Sequence, residues 1–71
     1  VLNQKNFKYT KVKSFEVGKL YVTRPRAKFD DPGLHLCIYK DANYCKLYGL
    51  FDSLTFTEEL PYIQYYYLVD A

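Results

Sequence analysis

Groups able to do covalent chemistry are few in this chain and badly spaced for it. One histidine (His35) and two cysteines (Cys37 and Cys45) are its only imidazole and thiols. On an extended backbone His35 and Cys37 share a face, as a base beside a nucleophile would. No neighbouring group, however, offers to orient the imidazole. A metal centre needs several His, Cys or carboxylate ligands at usable spacing. Asp30-Asp31 could touch a hard cation, but adjacent carboxylates before Pro32-Gly33 more simply shape a turn. Gly18, Gly33 and Gly49 are scattered, so no glycine loop cradles a phosphate. The expectation is a non-enzyme with no catalytic residue, no metal and no cofactor.

Binding chemistry is better represented. Lys19, Tyr21 and Thr23 alternate on one side of a strand that runs into a loop with Arg24, Arg26 and Lys28. Cations attract phosphates and a tyrosine ring stacks on bases, the combination used on single strands. Pro25 stiffens that loop and lowers the ordering cost of binding. Lys19, Tyr21, Arg24, Arg26 and Lys28 are therefore the candidate nucleic-acid contacts. Tyr62-Ile63-Gln64-Tyr65-Tyr66-Tyr67 offers a second surface. Read as a strand, it buries Ile63, Tyr65, Tyr67 and Val69 and presents Tyr62 and Tyr66 to a protein partner.

These residues need β structure to hold them. Nine Tyr and five Phe make aromatics 20% of the 71 residues, which helps a short chain bury enough surface. Residues 1–14 read as a basic arm whose first residues are frayed. Lys8 to Lys13 could form an edge strand in which lysines discourage unwanted pairing. Phe15 to Arg24 reads as a strand, with Gly18 at a bulge or close contact. Asp31-Pro32-Gly33-Leu34 suits a type II turn. Leu34 to Tyr39 and Tyr44 to Phe51 alternate as a hairpin around Lys40-Asp41-Ala42-Asn43. Leu54 to Thr57 reads as a short strand. Thr57 then caps one helical turn that Pro61 stops, and Tyr62 to Val69 is the last strand.

Hairpin register decides the reading of the cysteines. Setting Tyr39 opposite Tyr44 places Leu36 against Leu47, Ile38 against Cys45 and Cys37 against Lys46, with apolar and polar pairs on separate faces. Cys37 and Cys45 then lie on opposite faces and cannot bond. Two free thiols follow, Cys45 in the core and Cys37 exposed, as suits a reducing cytoplasmic location.

Charge is uneven along the chain. Residues 1–28 hold eight bases against one acid, +7, and residues 29–71 hold two bases against seven acids, −5. Such asymmetry can mark a basic binding face, or two halves that neutralise each other on folding. No run approaches the roughly 20 apolar residues of a membrane span. Phe15-Glu16-Val17-Gly18-Lys19-Leu20-Tyr21-Val22 resembles the opening strand of Src-homology-type and KOW-type small barrels. That resemblance implies a small barrel over residues 15–71. KOW-type modules commonly contact nucleic acid, whereas the acidic loop and central Trp of Src-homology peptide binders are absent. The expected fold is all-β and mainly antiparallel, a five- to six-stranded barrel-like domain with at most one short helical turn. The expected function is nucleic-acid binding through residues 19–28. The alternative is a protein-interaction module or inhibitor, of the kind met among viral and phage accessory proteins. Strand edges leave a homodimer open.

Overall fold

A computed structural model of the chain describes residues 8–23 and 33–70. Six strands form one sheet: β1 (Lys8–Thr10), β2 (Leu20–Val22), β3 (His35–Lys40), β4 (Tyr44–Gly49), β5 (Thr55–Glu59) and β6 (Tyr67–Asp70). Their order across the sheet is β1-β6-β2-β3-β4-β5, and each neighbouring pair is antiparallel. A 3₁₀ helix, Leu60–Tyr65, is the one helical element among the described residues. The all-β, antiparallel expectation holds. Closure does not: β1 and β5 are the two edges of an open sheet rather than neighbours in a barrel. The loop from Arg24 and the turn at Asp31-Pro32 lie outside the described residues, as do residues 1–7.

The β3–β4 hairpin forms where the alternation places it, but in a different register. Leu36 pairs with Tyr48 and Cys37 with Leu47, and a bulge at Ile38 brings Tyr39 opposite Lys46. An extra residue at a bulge resets which side chains share a face. As a result Cys37 and Cys45 both turn into the same core and both are fully buried, correcting the expectation of an exposed Cys37. Both thiols are free. Asp41 holds the turn: its Oδ1 accepts the N–H groups of Asn43 (2.8 Å) and Tyr44 (3.0 Å), and its Oδ2 accepts the Tyr39 hydroxyl. Such side-chain acceptance of backbone donors is why Asp favours turns.

The sheet is apolar on both faces. Tyr21, Cys37, Cys45 and Leu47 lie on one face, under Phe15, Ile63 and Tyr66. Phe15 meets Tyr21 and Tyr66 edge-on, with centroids 5.0 and 5.2 Å away. Edge-to-face pairs of this kind add about 0.5–1.5 kcal/mol beyond area burial. Val22, Leu34 and Val69 form a smaller cluster on the other face, with Leu20, Leu50 and Tyr67 packed against it.

Phe15 is not part of a strand. The chain turns at Val17-Gly18, where Gly18 takes φ +90, and pairing begins only at Leu20. A positive φ of this size is open to glycine at no steric cost. The Gly18 N–H donates to the Cys37 carbonyl at 2.8 Å, so this turn folds Phe15 back over the sheet.

The tyrosine run also departs from expectation. Residues 60–65 are a 3₁₀ helix, and the strand starts at Tyr67. Pro61 begins the helix instead of ending it, as its fixed φ and missing donor allow. Among the described residues no side chain caps the helix, and its N-cap is Glu59, not Thr57. At three residues per turn, Leu60, Ile63 and Tyr66 fall on one stripe, and that stripe meets the core. Lys11 closes the far end, its ammonium donating to the carbonyls of Gln64 and Tyr66 and lying 4.7 Å from the centre of the Tyr67 ring.

Candidate protein-binding edge

Of the residues expected to bind nucleic acid, Lys19 and Tyr21 are the two that lie among the described residues. Lys19 is exposed, but Tyr21 beside it is fully buried. The Tyr21 hydroxyl accepts the Glu16 N–H at 2.7 Å, and burial pushes the phenol pKa up. Its ring lies in the core and offers no face to a base, because β2 is an inner strand packed on both sides. Arg24, Arg26 and Lys28 lie outside the described residues. Of the two tyrosines expected to meet a protein, Tyr62 is exposed and Tyr66 is buried. The 3₁₀ stripe explains the exchange: Tyr66 falls in line with Ile63, while Tyr65 is turned outward.

Exposed apolar surface gathers instead at one corner of the sheet, around β5 and the turn before it. Phe51, Leu54 and Phe56 keep 59%, 65% and 40% of their surface exposed. The turn that presents them is built from local polar contacts. The Ser53 N–H donates to the Gly49 carbonyl at 2.9 Å, and the Leu54 N–H to Asp52 Oδ1 at 3.0 Å. Ser53 takes φ 60. Gly49 makes room, since a Cβ there would lie 2.5 Å from Asp52 Oδ1. His35 supports Phe56 from the next strand but one, its ring edge-on with centroids 5.1 Å apart, and its Nδ1–H donates to the Gly33 carbonyl at 2.9 Å.

Backbone parity along β5 follows from one bond. The Gly49 N–H donates to the Leu54 carbonyl at 2.8 Å, and the register runs unbroken to Tyr44↔Glu59. Antiparallel ladders alternate, so Phe56 and Glu58 turn their backbone groups toward β4. Thr55, Thr57 and Glu59 turn theirs away from the sheet. Leu54, Phe56 and Glu58 project from the face that carries Leu47 and Cys45, and Thr55, Thr57 and Glu59 from the opposite face. Among the described residues the Glu59 N–H meets only the neighbouring Glu58 carboxylate, at 3.2 Å.

Charge at this edge has one sign. Residues 47–70 contain Asp52, Glu58, Glu59 and Asp70 and no Lys or Arg. Among the described residues no cation pairs with Glu58 or Glu59. Lys46, on the adjacent strand, leans the other way, its ammonium 5.5 Å from the centre of the Tyr39 ring. Sequence reading missed Phe51, Leu54 and Phe56 as surface residues, since their apolar alternation suits a buried strand equally well. No group of three or more His, Cys, Asp or Glu could hold a metal ion among the described residues. No helix there is long and apolar enough to cross a membrane. No family model, curated protein or solved structure matches this chain.

Proposed function

We propose that this chain is a non-catalytic protein-interaction domain that takes an extended segment of its partner as a seventh strand along β5. The observation that carries this reading is the outward-turned backbone of Thr55, Thr57 and Glu59 beside exposed Leu54 and Phe56. Strand addition draws affinity from main-chain hydrogen bonds and specificity from pockets for alternate side chains. Edges that must stay unpaired usually carry lysine, proline or a bulge. β1 has Lys8 within it and Lys11 just after it, while β5, Thr55-Phe56-Thr57-Glu58-Glu59, has none of these features.

Selection of random ten-residue peptides on this protein tests the reading, with Thr57→Pro as the counter-target. Proline at Thr57 removes an outward donor and leaves the β4 ladder intact. Selected peptides should bind the parent and not the variant, and should slow amide exchange at Thr55, Thr57 and Glu59. Peptides that bind both proteins equally refute it. So does tight binding of single-stranded DNA or RNA in place of any peptide, which returns the function to the basic segment around Lys19.

A further inference from the structure

We propose that the strand accepted by β5 is cationic, an extended segment alternating Lys or Arg with apolar residues; this rests on the strand-addition reading above. β5 ends in two consecutive carboxylates, and Asp52 stands in the turn before it. Glu58 has donors of its own, the Tyr66 hydroxyl on Oε2 and the Glu59 N–H on Oε1. Glu59 has an exposed side chain and no cation beside it among the described residues. It projects from the same face as Thr55 and Thr57, while Leu54 and Phe56 project from the other.

An added strand meets these two faces alternately, because its own side chains alternate. Cations on one side reach Glu59 past the two threonines, and apolar side chains on the other lie beside Leu54 and Phe56. Opposite charges directly across a sheet stabilise the pairing, and like charges oppose it. The same rule disfavours a second copy docking β5 against β5, since each edge brings Asp52, Glu58 and Glu59 and no base. Polyanions such as nucleic acid are repelled from this edge for the same reason.

Fluorescence anisotropy with three labelled ten-residue peptides provides the test: alternating Lys/Val, Ser/Val and Glu/Val. The Lys/Val peptide should bind best and the Glu/Val peptide worst. Their separation should shrink as salt is raised from about 0.05 M to about 1 M, where screening reaches about 3 Å. Glu59→Lys, a change at an exposed side chain, should weaken Lys/Val binding roughly fivefold or more at low salt. Thr57→Pro should abolish it, with circular dichroism and melting confirming that each variant is folded. Equal binding of Lys/Val and Ser/Val, both lost in Thr57→Pro, overturns the cationic partner and leaves the edge reading standing. Binding that survives Thr57→Pro, or no binding by any peptide, overturns both. Self-association that Thr57→Pro removes, measured by sedimentation, makes the occupant a second copy and overturns the cationic partner alone.

Discussion

The Tyr66 hydroxyl donates to the Glu58 carboxylate over 2.7 Å, tying the end of the 3₁₀ helix to the strand at the sheet edge. Tyr66 lies in the core against Phe15, so its phenol is anchored at one end by packing and at the other by this bond. Burial first, and Glu58 second, push the Tyr66 pKa far above its ordinary value, which keeps the donor protonated. Tyr66→Phe should therefore cost about 1.5–3 kcal/mol, the range for a hydrogen bond to a charged group. Urea denaturation measures the loss. Glu58→Gln keeps an acceptor and should cost less. In Tyr66→Phe, amide exchange should quicken along β5 more than along β2.

Both thiols should be inert in the folded protein. Burial, then the neighbouring Cys37, push the Cys45 thiol up to about 12, and Cys37 is equally shielded while donating to the Tyr39 carbonyl at 3.6 Å. Because the thiolate is the reactive form, a colorimetric disulfide reagent at about pH 8 should label neither cysteine in native buffer and both in denaturant. Prompt labelling of one cysteine under native conditions would contradict the register that buries the pair.

Acid should loosen the β3–β4 turn. Backbone donors from Asn43 and then Tyr44 hold the Asp41 carboxyl below its ordinary value of 3.8. A depressed folded-state pKa gives stability that is present above 3.8 and lost as pH falls through the folded value. Asp41→Ala should therefore melt below the parent at about pH 6, with the gap narrowing as both are titrated to about pH 2. A gap that stays constant over that span would mean the carboxylate charge contributes nothing to the turn.

Tyr21 separates structure from binding. Tyr21→Phe leaves the Glu16 N–H without its acceptor and should cost about 1 kcal/mol in urea denaturation. The same change should leave any affinity for single-stranded nucleic acid as it was, because the ring is enclosed. Loss of such affinity without loss of stability would place Tyr21 in contact with bases.

What the sequence disclosed was mostly local. Alternation around Asp41 disclosed β3 and β4, and the lysines around Tyr9 disclosed an edge strand. Hairpin register escaped because sorting pairs into one apolar and one polar face presumes a sheet with a single buried side. Here Leu34 and Cys37 are buried on opposite faces, so the apolar count cannot choose between registers one residue apart. The run from Tyr62 to Tyr67 suits a strand by composition. Its period-three stripe, Leu60, Ile63 and Tyr66, was present but spans too few residues to outweigh the aromatic content. The exposed edge at β5 was the least legible feature. Whether a strand lies at an edge depends on the order of all six strands, a property no short window contains.

The sheet order has a consequence for the order in which the sheet assembles. Among the described strands β6, the last in sequence, lies between β1 and β2, the first two. β2, β3, β4 and β5 are neighbours in sequence as well as in the sheet and can pair one after another, while β1 pairs only with β6, about sixty residues away along the chain. Long-range pairing of this kind is the slow part of folding. β1 thus joins the sheet only once β6 is in place, and a partly folded state can hold β2, β3, β4 and β5 together while β1 is still unpaired.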